Sequence, residues 1–257
     1  MHTLKTLLRD IRAIGIRSND SLLIHSSMKS MGQVDGGADT VIDAFQESLS
    51  EGLLIFPTHT WNDWNNVDGF YDPVTEPSCV GVLTEVFRKR KNVFRSLHPT
   101  HSIAAWGKGA ETYVQGEEQF ETPGPRKGCW GRLYDVEAKI LFLGASLKTN
   151  TFLHSVEEWY DIPDRIAPEP TGYRIKRNDG SIIERNFFHH FSKYGDPSQN
   201  FDKIEKLAVE KGVANYGEIG SASSVLCDAR GLADLVGQLL QRDRHLFDDD
   251  APMNGEL

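Results

Sequence analysis

The stretch SLLIHSSMKSMGQVDGGADTVIDAFQESLSEGLLIFP, residues 21–57, decides the fold of this chain. It opens with a short apolar run, which predicts a buried strand, and passes through a loop with serines and glycines. Val41, Ile42, Phe45 and Leu49 then follow at helical spacing. A second apolar run, residues 52–60, predicts another buried strand. A strand, a helix and a strand in this order are typical of a βαβ unit with parallel strands.

The rest of the chain extends this pattern. The spacing predicts a helix from Leu4 to about Gly15, strands over 101–107 and 139–144, and a helix over about 150–160. Residues 171–191 alternate around Asn178, Asp179 and Gly180, which predicts an antiparallel hairpin at one edge of the sheet. We therefore expect an α/β fold: a three-layer core with a mostly parallel central sheet, helices on both faces, and an antiparallel hairpin excursion in the C-terminal half.

The size and net charge of the chain limit the classes of partner that we expect it to bind. The chain has 257 residues, of which 39% are hydrophobic, enough for a large core in one elaborated domain or in two closely packed ones. Its 28 basic and 37 acidic residues leave a formal charge of -9, which repels nucleic acid and anionic membrane surfaces and favours a cationic small molecule. We expect neither nucleic acid nor membrane as a partner.

The cysteines and the apolar segments indicate a cytoplasmic protein. The 3 cysteines are Cys79, Cys129 and Cys227, which are far apart and form no CxxC pair. No stretch reaches the roughly 18 apolar residues of a membrane span, and charges at Lys5 and Arg9 interrupt the first segment.

The segment TNTFLHSVEEWYDIP, residues 149–163, carries a candidate general base. His154 has carboxylates at i+3 and i+4, Glu157 and Glu158, and Thr151 lies on the same side of the helix. This pattern also fits a solvated helix face with a satisfied histidine. The helix follows an inner strand, however, and the carboxyl ends of such strands are where α/β sheets bind ligands. A histidine oriented there by a carboxylate can accept a proton near neutral pH.

The loop after the first strand is a candidate anion site. It lacks the Gly-Lys-Ser/Thr of a phosphate-binding loop and the GxGxxG of a dinucleotide fold, which excludes the commonest nucleotide sites. Its glycines still permit close backbone approach, and its amides and the following helix N-terminus suit a phosphate or pyrophosphate. An ordinary flexible turn explains the same residues.

Five segments, taken in order, carry a family resemblance: LLIHSSMKSMGQVDGGADTVIDAF, EGLLIFPTHTWN, YDP, RSLHPTHSIAAWGKGAE and LFLGASLKTNTFLHSVEEW. Together they resemble the aminoglycoside N3-acetyltransferase family from about residue 5 to 165, and more weakly to about 243. The resemblance implies an acetyl-CoA-dependent acyltransferase outside the GNAT superfamily. It also implies a single domain over 1–257, with a CoA-binding and catalytic core over 1–165, the hairpin excursion over 166–200 and a completing segment over 201–257.

The resemblance also assigns site residues. The family's T-x-x-H-x-x-E motif falls on Thr151, His154 and Glu157. In such enzymes the histidine takes a proton from the attacking amine, the glutamate orients the histidine, and the threonine assists the developing tetrahedral centre or the departing thiolate. The implied contacts to CoA are His25, Ser26, Ser27, Ser30, Gly32, Gly36 and Gly37.

The implied acceptor is the 3-amino group of an aminoglycoside's 2-deoxystreptamine ring, or a related amine. We expect direct transfer in a ternary complex, with acetyl-CoA as cosubstrate, no metal and no cysteine nucleophile. Whether the chain forms an oligomer is left open. The candidate acceptor contacts are Asp63, Tyr71, His98, His101 and Glu158.

Two other functions remain open from the residues. His59, His98 and His101 allow a metal-dependent hydrolase, although the chain has no HExxH motif and Pro99 precludes regular helix through that segment. A non-catalytic protein that binds CoA or an amine on the same scaffold is the other alternative.

Overall fold

The first predicted strand, residues 21–27 of the apolar run, forms the middle strand of the central sheet. The structure, a computed structural model, describes residues 1–61 and 69–253. The strands of this part are β1 (Ser21–Ser26), β2 (Leu53–Pro57), β3 (Phe70–Tyr71), β4 (Phe94–Arg95), β5 (Ile103–Gly107), β6 (Lys139–Leu143), β7 (Thr171–Lys176), β8 (Ile182–Phe187), β9 (Ala214–Ile219) and β10 (Ala222–Asp228). Its α-helices are α1 (Leu4–Ala13), α2 (Gly37–Ser48), α3 (Val82–Phe87), α4 (Ala110–Val114), α5 (Cys129–Asp135), α6 (Thr151–Trp159), α7 (Glu205–Glu210) and α8 (Ala229–Arg242).

The central sheet confirms the predicted βαβ unit. Across the described residues it has seven strands in the order β4-β5-β2-β1-β6-β10-β9. β1 pairs in parallel with β2 on one side and with β6 on the other, whereas the outer pairings are antiparallel. Only β5 and β10 run against the common direction, so the sheet is mostly parallel in strand direction.

Helices cover both faces of the sheet, as expected for an α/β fold. Leu22 and Ile24 lie in the apolar cluster that packs against α1, α2 and α3. Leu23 points the other way, into the cluster formed with α4, α5, α6 and α8. This alternation is what a strand buried on both faces requires. The three-layer core is therefore confirmed.

The hairpin forms, but its predicted place at the edge of the central sheet is wrong. β7 and β8 pair antiparallel, and β7 pairs in parallel with β3, which gives a separate three-stranded sheet in the described part of the chain. Tyr71, Tyr173, Ile175 and Phe187 form the buried core of this small sheet. The apolar face of the hairpin is thus covered by its own cluster, while β4 and β9 are the edges of the large sheet.

The topology brings two predicted segments together. Ser26 at the end of β1 lies beside Leu143 at the end of β6, because the two strands are parallel and in register. From β6 the chain passes through a 3₁₀ turn, Leu147–Thr149, and enters α6 at Thr151. The serine-bearing loop and the histidine helix therefore start from the same edge of the sheet. Nowhere in residues 1–61 or 69–253 does a helix combine the length and the apolar character needed to cross a membrane.

Candidate active site

A cavity of about 820 Å³ opens at the carboxyl ends of β1 and β2. Its walls are the end of β1, the residues that follow β2, the first turn of α6 and the segment after β8. The described residues that line it are His25, Ser26, Pro57, His59, Trp61, Val80, Thr84, His101, Lys148, Thr149, Thr151, His154, Arg165, His189, His190, Phe191, Ser192, Gly195, Asp196, Pro197 and Ser198.

His154 and Glu157 form the pair that the sequence predicts. The Nδ1 atom of His154 lies 3.3 Å from Oε2 of Glu157, and the Glu157 side chain has 0% exposure. A carboxylate can only accept, so Nδ1 carries the proton and donates it to Glu157. In neutral His154 the other ring nitrogen, Nε2, is then free to accept a proton, and the ring lines the cavity. A fully buried Glu157 also shows that this side of α6 is not a solvated helix face.

Arg165 compensates the buried charge of Glu157. Its Nε donates to Oε1 of Glu157 at 2.6 Å, and its Nη2 donates to Asp248. Burial by itself lowers the Arg165 pKa, but the two carboxylates raise it above its ordinary value. An unpaired buried carboxylate is strongly unfavourable. Glu157 is stable in this buried position because its Oε1 accepts from Arg165 while its Oε2 contacts His154.

Thr151 contacts a second histidine. Its Oγ1 lies 3.1 Å from Nε2 of His59, which follows β2. His59 is 1% exposed, and its ring stacks on Trp61 and Trp130 with centroid distances of 4.1 and 5.5 Å. Burial first, and then electrostatic interaction with nearby histidines and with Arg95, lowers the His59 pKa well below 6.5. His59 is therefore neutral at neutral pH.

Three further histidines line the cavity as neutral rings. Burial lowers the pKa of His25 from 6.5 to about 3. Burial and then repulsion from nearby histidines lower the pKa of His101 and of His190 well below 6.5. The His190 ring centroid lies 4.4 Å from that of His154. A set of neutral imidazoles offers hydrogen-bond donors and acceptors without adding positive charge to the cavity wall.

The predicted CoA contacts divide into two groups. His25 and Ser26 line the cavity. The Ser30 hydroxyl instead lies within hydrogen-bond distance of the Gly144 carbonyl, at 3.1 Å, and of the Ser27 hydroxyl, at 3.0 Å, which ties the loop to the end of β6. Further along the loop, Gly32, Gly36 and Gly37 have φ values of 73°, 74° and 63°. The second group, Ser27, Ser30 and these glycines, comes after Ser26 in the sequence. None of them is among the described residues that line the cavity.

Of the predicted acceptor contacts, only His101 lines the cavity among the described residues. The Tyr71 hydroxyl donates to the Ser96 carbonyl at 3.0 Å, inside the core of the small sheet. Glu158 accepts from the Thr122 hydroxyl and from the Gly124 amide, which turns it away from the cavity. The remaining two are His98, which is 0% exposed, and Asp63, which lies outside the described residues.

The three candidate metal ligands, His59, His98 and His101, lie close together but do not point at a common metal position. Ring centroids are 5.0 Å apart for His59 and His101, and 5.7 Å apart for His98 and His101. His98 uses Nδ1 to accept from the backbone amides of Thr100 and His101. Over the described ranges, no three His, Cys, Asp or Glu side chains are grouped so that they could hold a metal ion.

Sequence reasoning missed Arg165 and His190. Arg165 lies outside any periodic segment, between Asp164 with a φ of 58° and the bridge residue Ile166, so only the tertiary fold brings it to Glu157. His190 follows β8, and its bridge to Ile166 brings it against α6. The repeated histidine at 189–190, near the end of the predicted hairpin of residues 171–191, is the signal in the sequence that points to His190.

Comparison with known proteins identifies the family. The family described as aminoglycoside 3-N-acetyltransferase matches residues 23–241. Aminoglycoside N(3)-acetyltransferase VII of Streptomyces paromomycinus is 28% identical over an alignment that covers 89% of this chain and 88% of that protein. The crystal structure of AAC(3)-IVa in complex with a gentamicin is 25% identical, with a TM-score of 0.82, over 96% of this chain and 91% of that one.

A third relative supports the fold alone. The structure of AAC-IIIb in a binary complex with CoASH superposes with a TM-score of 0.83 at 24% identity, over 93% of this chain and 96% of that chain. The α/β architecture described above is therefore shared with a solved acetyltransferase over nearly its whole length. With the family match across residues 23–241, it follows that this chain belongs to the aminoglycoside 3-N-acetyltransferase family, a family of acyltransferases.

Proposed function

We propose that this chain transfers the acetyl group of acetyl-CoA to an amine, the 3-amino group of an aminoglycoside or a related amine, with His154 as the general base. Family membership and the named activity of the relatives support acetyl transfer. The observation that carries the proposal is the contact of 3.3 Å between His154 and the buried Glu157 at the wall of a cavity of about 820 Å³.

The chemistry needs few groups. An alkylammonium is no nucleophile until it loses a proton, whereas a thioester needs little activation. The ammonium first releases one proton to solvent. As the neutral amine nitrogen bonds to the acetyl carbon, His154 takes its second proton at Nε2, and Glu157 stabilises the imidazolium that results. The Thr151 hydroxyl donates to the acetyl oxygen while negative charge develops there. The carbon–sulfur bond then breaks, and the proton held by His154 returns to the departing thiolate.

The volume of the cavity supports binding of an acetylated thiol arm beside an amine. Its volume of about 820 Å³ falls within the roughly 300–1,000 Å³ of pockets that hold small molecules. Nε2 of the buried His25 has no hydrogen-bond partner among the described residues, so it is a polar atom that a ligand can satisfy. His25, Ser26 and Lys148 are the wall residues that would hold the cosubstrate, which supplies the acetyl group as a thioester.

Direct transfer fits the state of the cysteines. Burial raises the pKa of Cys227 to about 12 and that of Cys129 well above its usual range, so both are held as inert thiols. Cys79 is only partly buried, but it is not among the described residues that line the cavity. Attack by the amine on bound acetyl-CoA therefore accounts for the reaction without an acyl-enzyme.

The test is release of free thiol from acetyl-CoA by the purified chain. We expect release with an aminoglycoside such as gentamicin or apramycin, with a singly N-acetylated product in the mass spectrum, and none without an amine. Spermidine serves as a simple polyamine for comparison. Binding of acetyl-CoA with no thiol release for any amine would overturn acetyl transfer and favour a non-catalytic binder. Complete loss of turnover on chelation would overturn the metal-free mechanism.

A further inference from the structure

We propose that His59 is a positioning residue for the reaction: it donates a hydrogen bond from Nε2 to Thr151 and thereby directs the Thr151 hydroxyl proton into the cavity. This inference rests on the proposed acetyl transfer, in which Thr151 acts as a donor to the acetyl oxygen. It gives His59 a role that the motif around His154 does not contain.

The contact itself is well defined. Nε2 of His59 lies 3.1 Å from Oγ1 of Thr151, and the two side chains are 1% and 7% exposed as whole residues. Among the described residues, the hydrogen-bond partner of the Thr151 hydroxyl is His59. Both residues line the cavity, Thr151 from the first turn of α6 and His59 from the chain that leaves β2. The hydroxyl is therefore placed between a buried imidazole and the space that a substrate enters.

The direction of the hydrogen bond follows from the other nitrogen of His59. Nδ1 is buried and has no hydrogen-bond partner among the described residues. If Nδ1 carried the proton, a buried N–H donor would lack an acceptor, which is rarer in proteins than an unused acceptor. A neutral His59 thus keeps its single proton on Nε2, and the low pKa of this buried ring is consistent with the neutral form.

Donation by His59 leaves the hydroxyl of Thr151 with its own proton to give. A hydroxyl has one proton and two lone pairs, so an Oγ1 that accepts from Nε2 points its O–H elsewhere. The opposite direction, in which Thr151 donates to His59, would consume the proton that the acetyl oxygen needs. Only the first arrangement makes Thr151 useful to a developing oxyanion.

The surroundings hold the His59 ring in this orientation. Trp61 stacks on it with an interplanar angle of 27°, and Trp130 with an angle of 16°. The backbone on both sides is fixed, because the amides of Thr58 and Thr60 donate to the carbonyls of Ser102 and Thr100. A ring stacked in this way resists rotation about its side-chain bonds, so the Thr151 contact is preorganised.

A double-mutant cycle tests the coupling. The variants are Thr151→Val, which keeps the shape of the side chain without its hydroxyl, His59→Phe, which keeps an aromatic ring between the tryptophans, and the double variant. We expect Thr151→Val to lower kcat roughly 10²-fold, as loss of one oxyanion donor does. His59→Phe should lower kcat at least about 10-fold while the KM for acetyl-CoA changes little, because positioning acts on the transition state. In the Thr151→Val background, His59→Phe should cause no further loss of kcat.

The outcomes separate the two proposals. Losses that simply multiply in the double variant would overturn the role of His59 and leave acetyl transfer intact. Unchanged kcat in Thr151→Val would overturn both the threonine's role and the positioning of its hydroxyl. If His59→Phe does not fold, His59→Gln and His59→Met make the same comparison, since the two side chains are alike in length and only glutamine carries a donor. We expect His59→Gln to retain more kcat than His59→Met, and equal loss in both would contradict the inference.

Discussion

Two adjacent carboxylates of α6 show how much the environment of a single residue decides. Glu157 is fully buried and contacts His154 and Arg165. Glu158, one residue later, accepts from Thr122 and Gly124, and burial raises its pKa despite those hydrogen bonds. The helix turns the two side chains by about 100° relative to each other. Only Glu157 is therefore placed to act on the histidine.

This difference predicts unequal effects of the same substitution. Glu157→Gln removes the negative charge behind His154, so the imidazolium loses its stabilisation and kcat should fall roughly 10²-fold. Glu158→Gln is the matched control, and its kcat should stay within a few-fold of the wild type. Steady-state kinetics, with thermal unfolding to confirm that both variants fold, provides the measurement. Equal losses in the two variants would show that Glu157 has no special role in catalysis.

At the residue scale, the sequence predicts the local part of the site. Thr151, His154 and Glu157 lie within one helix, so their spacing alone puts them on one side. Arg165 and His59 reach the site from other segments, and their contacts depend on packing that no local pattern encodes. The sequence marks His59 as chemically capable, but as a metal ligand rather than as a partner of Thr151.

At the scale of elements, strand existence was predictable and strand pairing only partly so. The apolar runs of β1, β2 and β6 identify buried strands, and the helix between β1 and β2 implies their parallel pairing. The antiparallel direction of β5 and β10 has no such local signal. The hairpin of β7 and β8 was predicted from its alternation and turn residues, but its partner β3 has only two residues, too few for a periodic pattern.

The turn of the hairpin differs from the primed type that its sequence favours. Gly180 has a φ of 83°, whereas Asn178 and Asp179 are not among the described residues with positive φ. The Gly180 amide donates to the Arg177 carbonyl at 2.9 Å, and the Arg177 amide donates to the Ser181 carbonyl at 2.8 Å. Without a positive φ at its two central residues, the turn is not of the primed type, and a left-handed Gly180 follows it. Asn178, Asp179 and Gly180 therefore predict that a hairpin forms, but they do not determine the length of its loop.

At the scale of the whole molecule, the buried histidines couple stability to pH. Burial lowers the pKa of His25 and of His98 from 6.5 to about 3. The unfolded chain binds these protons near pH 6.5, and the native protein does not. Above about pH 6.5 these histidines therefore do not lower the free energy of unfolding. As the pH falls from there toward 3, the free energy of unfolding decreases by about 1.4 kcal/mol per pH unit for each histidine.

His98→Asn isolates one of these contributions. The asparagine side-chain oxygen can replace Nδ1 as the acceptor for the amides of Thr100 and His101, which donate at 3.2 and 3.0 Å, but it takes up no proton. Burial raises the pKa of Glu117, which acts in the opposite sense, so the comparison is with the wild type at each pH. Urea unfolding between pH 6 and pH 4.5 should give a shallower pH dependence in the variant, by about 1.4 kcal/mol per pH unit. Identical slopes would contradict the neutral buried state of His98.

The central claim is that His154 acts as the general base for acetyl transfer. The most direct test compares turnover and acetyl-CoA affinity in His154→Ala, with thiol release and calorimetry on the same preparation. We predict that kcat falls roughly 10²- to 10⁴-fold while the Kd for acetyl-CoA stays within a few-fold, because the histidine acts on the amine. Unchanged kcat in a folded His154→Ala protein would contradict the account.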